Sequence, residues 1–465
     1  MLAAIKRHYE KVICGCCFLL LFTNVGLAST SFSVYQPYLV ELPGVGDMGG
    51  SIVISVRTFV SLIAMFFVAR YYDKLDCRRG AFGASLCVGA GFLIYSVSTA
   101  NFIGLCAGSV FTGLGYGLGG MVASTMLIGR WFKDHVATVA GVAAVGSGVA
   151  AVVIPPLVVP IVQSFSLATS FFFEGLCALI FGVILFALLR NRPADMGLLP
   201  YVDPKFAKAG DKAQAEDEGK AGIEDSRTNN DDASEEHHGF FHNHHVGIHL
   251  GIHHHPSQPK RRARISRNMP VKLVPVVLIA MIFVGCISVG GTSYIAVLFT
   301  SEGFSTETAA LFVSVNGFCL LLAKMFCGVI FDHIGTRNGS ALFFSLFIAG
   351  TFLLVLTALG YTNLALLGII LYGCGLSLGT VGISIWSIEL APRGQQVKTI
   401  KNFQIAYAAG GFIFTFLPGF LTEATGSYLI SYVILLGMIA AAGVVIVVLY
   451  TVLDKRAIRM FNETS

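Results

Sequence analysis

Apolar residues run through this chain in long unbroken stretches, and polar residues gather in the short gaps between them. A membrane crossing needs about 20 predominantly apolar residues. Six stretches meet that length before residue 190, at roughly 13–34, 51–69, 81–99, 102–128, 136–162 and 168–189. Six more follow, at roughly 271–300, 309–331, 340–359, 363–388, 403–421 and 430–453. The pattern predicts an all-α membrane protein with twelve transmembrane helices. They fall into two six-helix bundles, 1–189 and 270–465, on either side of a central segment, 190–269.

In that central segment the apolar pattern stops. Asp203 to Glu236 is rich in acids, and Lys260 to Arg267 is basic. Between them lie nine of the chain's 12 histidines: His237, His238, His242, His244, His245, His249, His253, His254 and His255. Such a stretch buries too little apolar surface to offset its ordering entropy, so it is predicted to be a disordered linker.

Composition agrees. The chain is 55% hydrophobic and only 12% charged, where an ordinary globular chain carries about 25% charged residues. Its net charge of +5 comes from basic loops, and nothing points to nucleic acid. Lys and Arg alternate strictly from gap to gap. They are present after spans 2, 4, 6, 8 and 10 and nearly absent from the other connections. Positive loops face the cytosol, so both termini and the linker are expected there. The plasma membrane is the expected location, with an internal membrane as the alternative. The first span has no convincing cleavage site and is read as retained, not as a signal peptide. Cys14, Cys16 and Cys17 at its basic flank suit palmitoylation, although small apolar helix residues explain them more simply. Glycines crowd the fourth and fifth spans, which predicts close helix packing.

One loop pattern occurs twice. After the second span stands Ala69-Arg70-Tyr71-Tyr72-Asp73-Lys74-Leu75-Asp76-Cys77-Arg78-Arg79. After the eighth stands Gly328-Val329-Ile330-Phe331-Asp332-His333-Ile334-Gly335-Thr336-Arg337. The pair resembles the signature loop of the major facilitator superfamily, with Ala69 and Asp76 replacing two glycines in the first copy. Asp73, Lys74, Arg78, Asp332 and Arg337 are therefore gating candidates, able to pair in one conformation and part in the other. Arg130-Trp131-Phe132-Lys133 and Arg192-Pro193-Ala194-Asp195-Met196-Gly197-Leu198-Leu199-Pro200 resemble the oxalate/formate antiporter and monocarboxylate porter branch. That resemblance implies secondary transport of a small carboxylate, coupled to a proton or to exchange.

Ionisable residues inside a span are costly, and each is a functional hypothesis. Arg57 lies well inside the second span and Lys324 midway along the eighth. In the resembled branch a cation, usually Arg, stands at the position of Lys324 and holds the substrate carboxylate. Arg57 and Lys324 are the expected substrate-binding pair. The antiporters' second cation would fall near Gly410, where it is missing, so dicarboxylate exchange is disfavoured. The proton-linked Lys of monocarboxylate porters is also missing from span 1, which has Tyr35 and Gln36. Glu174 in span 6 is either a carrier of a coupling proton or an interfacial acid facing water.

The expected function is thus secondary transport of a small organic anion of monocarboxylate type. The expected partners are that substrate and the bilayer, with a divalent metal at the His tract, since neutral imidazole suits zinc, copper, nickel and iron. The protein is expected to be monomeric and to need no cofactor. One alternative is a carrier of a transition metal or a metal complex such as haem, with the His tract as its cytosolic acceptor. Another is a non-transporting sensor. No phosphate loop, catalytic triad or cofactor motif suggests an enzyme.

Overall fold

The computed structural model describes residues 9–30, 32–132, 136–198, 201, 269–392 and 395–464. All regular elements among them are helices. Eleven helical stretches are long and apolar enough to cross a membrane. The longest, Gly46–Val97, has 52 residues. At 1.5 Å per residue it is roughly 78 Å long, over twice the ~30 Å hydrocarbon core, so it makes two crossings. Asp76 divides it, with φ 63° and ψ 163°. The expected twelve crossings are therefore present. The polar loop expected between them is not: helix continues to both sides of that one residue, because Arg, Lys and Leu are good helix formers.

Span 1 runs from Tyr9 to Val40, spans 2 and 3 cover 46–75 and 77–97, and span 4 runs from Phe102 to Trp131 with a break at Gly120. Spans 5 and 6 are Val136–Ser164 and Leu167–Leu188. In the second half, span 7 begins at Val271, followed by Thr306–Ile334, Thr336–Thr357, Thr362–Glu389, Gln396–Thr425 and Leu429–Thr464. Polar side chains start several of them. Asn101 accepts from the amides of Ile103 and Gly104, Ser166 from Thr169, and Ser305 from Thr308. These bonds satisfy amides that the first helical turn leaves open.

The two halves repeat one irregularity. Span 1 is π-helical over Phe22–Thr30 and its counterpart, span 7, over Cys286–Gly291. A π-turn loosens the carbonyl ladder, and in lipid a loosened carbonyl needs a donor. Tyrosines supply it in the second half: Tyr372 donates to Ile287 O at 2.7 Å and Tyr432 to Gly291 O at 3.0 Å. In the first half the Asn24 amide donates to Leu20 O at 3.0 Å.

The glycines of span 4 do what their crowding predicts. A Cβ on Gly113 would meet the Arg57 carbonyl of span 2 at 2.5 Å, and one on Gly115 the Ala84 carbonyl of span 3 at 2.7 Å. Span 4 thus packs backbone to backbone on two neighbours at once.

The tail motif packs on the first half, where the Arg78 amide donates to Asn191 Oδ1 at 2.9 Å. Pro193–Met196 forms a single 3-10 turn, closed by Gly197 at φ 67°. The Trp131 indole donates to Arg190 O at 3.1 Å, which brings together the two stretches that resemble one carrier branch.

Candidate functional site

The halves meet along spans 2 and 11 and along spans 5 and 8. Tyr428 donates to Asp47 Oδ1 at 2.5 Å, Tyr294 to Ser51 Oγ at 2.6 Å, and Ser55 to Thr415 Oγ1 at 3.3 Å. Phe59 and Phe412 follow with ring centroids 5.0 Å apart. On the other seam Gln163 bonds Glu307, Gly317 abuts Ala151, and Gly148 abuts Leu321. These contacts run from the span ends farther from the termini to about mid-span. Burial pushes the Tyr428 phenol above its ordinary range, and the Asp47 carboxylate pushes it further, so the phenol keeps its proton and donates.

Arg57 sits just inside this closure and is 2% exposed. Its guanidinium lies over the Phe32 ring, 4.6 Å from the centroid. Its polar neighbours are Tyr95, Tyr116 and Tyr294 from spans 3, 4 and 7, and no acid stands beside it among the described residues. Nε and Nη1 are buried and make no hydrogen bond. A desolvated cation–π contact is worth about 2 kcal/mol, against several for an unpaired buried charge, so the ring offsets only part of the cost.

Lys324 lies one turn beyond Leu321 on span 8. Its side chain is half-buried. No charged neighbour accompanies it among the described residues. Tyr116 and Tyr407 are likewise half-buried and are neighbours of one another across the two halves. Neither Arg57 nor Lys324 has an acid beside it among the described residues.

Gly410 explains the missing second cation. A Cβ there would meet the Ile282 carbonyl oxygen at 2.0 Å, and on Gly285 opposite it would meet the Tyr407 carbonyl at 1.9 Å. Spans 7 and 11 are pressed together at this level, which leaves no room for a long basic side chain.

Glu174 is 6% exposed, and the Tyr35 hydroxyl is its polar neighbour. It is not an interfacial residue facing water. Tyr35 stands beside it, with its hydroxyl engaged by Ser170 Oγ at 2.8 Å. Phe32, Tyr35, Tyr95 and Phe171 pack as one ring cluster, with centroids 4.5–5.6 Å apart. Arg57 lies at one edge of that cluster and Glu174 at the other.

The two signature loops are anchored differently. In the first, the Arg78 guanidinium lies 4.2 Å from the Phe186 centroid and donates to Phe186 O at 2.5 Å, while its amide donates to Asn191 Oδ1 at 2.9 Å. Asp73 and Lys74 are exposed. In the second, Asp332 is half-buried and Arg337 exposed. Thr336 donates to Glu389 Oε1 at 2.7 Å, and Tyr450 to Glu389 Oε2 at 3.2 Å. Glu389, 2% exposed, is a buried acid that the sequence reading passed over because it lies at the end of span 10. The tyrosines around Arg57 were also missed, although a Tyr within an apolar run is itself a sign of a buried partner. The His237–His255 tract lies outside the described residues. Among the described residues no group of three or more His, Cys, Asp or Glu gathers to hold a metal.

The profile of the Major Facilitator Superfamily matches residues 17–415. No curated relative matches the sequence. Among solved structures, the fold is similar to the nucleoside transporter NupG, with TM-score 0.64 and 12% identity over 95% of this chain and 100% of that one. It is also similar to a POT family transporter in complex with 5-aminolevulinic acid, at 0.63 and 15% over 95% and 96%. The xylose transporter XylE from E. coli, in a partially occluded inward-open conformation, gives 0.63 and 12% over 94% and 97%.

Proposed function

The chain belongs to the Major Facilitator Superfamily, and on that premise we propose that it carries a small organic anion of monocarboxylate type by alternating access. A multi-pass membrane transporter is what the family and the fold establish. Nucleosides, sugars and peptides travel through proteins of this same shape, so the cargo is argued from the site.

One observation carries the reading: two cations, Arg57 and Lys324, stand in the interior with no acidic partner among the described residues. An anion entering between them supplies the missing charge. Lys324 offers a point charge and Arg57 a planar fork, so one carboxylate engages them differently. The lack of space at Gly410 supports a single carboxylate over two. Glu174, sealed and with no cation beside it among the described residues, is the group we assign to a coupling proton. Asp73, Lys74, Arg78, Asp332 and Arg337 serve as loop contacts that change as the halves rock. The contacts between halves support a state closed on the face away from the termini.

The test is uptake by the purified protein in liposomes. Labelled lactate, pyruvate and formate are offered with and without a pH gradient, beside iron and zinc. Saturable carboxylate uptake supports the proposal. Uptake of metal alone favours the carrier of metal or a metal complex, and no uptake of any of them favours the sensor.

A further inference from the structure

We propose that Cys319, Cys374 and Asn316 form a binding site for a thiophilic divalent cation, zinc(II) being its ordinary representative. The site lies in the second half and does not rest on the carboxylate reading.

Cys319 belongs to span 8 and Cys374 to span 10, and the two thiols are close enough to interact. Both residues are half-buried. The glycine before Cys374 makes the approach feasible: a Cβ on Gly373 would lie 2.9 Å from Cys319 Cβ and 3.0 Å from Asn316 Oδ1. Asn316 and Cys319 are three residues apart on one helix and share a face. Asn316 is 3% exposed, and its Oδ1 is buried with no hydrogen-bond partner. A buried acceptor left open is costly, and here it faces Gly373, the neighbour of Cys374, on the same helix face as Cys319.

This donor set specifies its ion. Thiolates select soft and borderline cations over magnesium or calcium. Two thiolates and one neutral amide oxygen carry two negative charges, which a divalent ion cancels. A monovalent copper ion would leave a net charge in an apolar interior, which is disfavoured. Zinc takes sulfur and oxygen ligands together, and water can complete a fourfold shell. Each thiol gives its proton to water on binding, so uptake releases two protons per ion and weakens as pH falls.

The experiment uses full-length purified protein titrated with cadmium(II). Thiolate-to-cadmium charge-transfer absorption reports sulfur ligation, a signal that the histidine tract cannot produce. The expected result is a saturable band, bleached by zinc and lost in both Cys319→Ser and Cys374→Ser. Asn316→Ala should keep the band with affinity weakened by roughly ten-fold. If a serine variant fails to fold, thiol alkylation of the wild type read by mass spectrometry replaces it, and zinc should protect Cys319 and Cys374 together. A band unchanged in either serine variant, no band, or no protection would overturn the site. So would a Cys319–Cys374 disulfide whose reduced form takes up no metal.

Discussion

Asp76 and Gly335 occupy the same step of the two signature loops, and both adopt the same left-handed extended backbone: φ 63°, ψ 163° for Asp76 and φ 84°, ψ 154° for Gly335. Each lies three residues after the loop aspartate. The correspondence continues at the glycine seven residues after it. A Cβ on Gly80 would strike the Tyr72 ring at 2.6 Å, and one on Gly339 the Phe331 ring at 2.2 Å. The first loop therefore keeps the geometry of the motif at this step although Asp76 stands in place of the glycine. Asp76 is the only positive-φ residue other than glycine among the described residues.

That conformation is nearly exclusive to glycine and costs another residue about 1–3 kcal/mol. Asp76→Gly should raise the thermal unfolding temperature in detergent, and Gly335→Asp should lower it. A lower temperature for Asp76→Gly would show that the aspartate side chain contributes more than its backbone costs.

Lys324→Ala should abolish anion uptake with expression intact, and Lys324→Arg should retain it. Arg57→Ala should weaken apparent affinity, and Arg57→Lys should do so less. Liposome kinetics decide this: unchanged uptake in both alanine variants removes the anion site.

The bond from Tyr428 to Asp47 links spans 12 and 2 across the closed face. A hydrogen bond to a charged group contributes about 1.5–3 kcal/mol, so losing it should shift the opening equilibrium roughly ten-fold or more. Ser55→Cys places a thiol behind this bond, and its labelling by an impermeant reagent measures opening. Tyr428→Phe should speed labelling; equal rates would show that the bond does not hold the face shut.

Gly410→Arg would restore the cation of the antiporters at the level of the sequence. It should instead destabilise the protein, and Gly410→Ala should already do so, because the first added carbon meets the Ile282 carbonyl at 2.0 Å. Thermal unfolding is the readout, and an unaltered Gly410→Arg protein that exchanges dicarboxylates would refute the packing argument.

Deleting His237 to His255 should leave a membrane-inserted protein that still transports carboxylate. Cells carrying the deletion that lose transport and mishandle iron or zinc would favour the metal reading. Epitopes at Ser301 and Ala424 should be reached from outside, and epitopes at Asp211 and after Ser465 from the cytosol. Opposite sides for the two termini would contradict an even number of spans.

The sequence by itself determined the twelve crossings, the two halves and the presence of Arg57, Lys324 and Glu174 within spans. Bilayer thickness sets span length, and the cost of charge in lipid marks every such residue without reference to its neighbours. Relations between spans were decided only by the tertiary structure. Tyr95, Tyr116 and Tyr294 reach Arg57 from three other helices. Glu174 is sealed where a residue near a span end was equally expected to face water. Gly410 lies against a carbonyl, and Asn316 and Cys319 of span 8 lie against Gly373 of span 10. Membrane helices are apolar all round, so their sequence periodicity scarcely says which face meets which neighbour. Close packing of small residues makes that choice, and it appears only once the backbones are in contact.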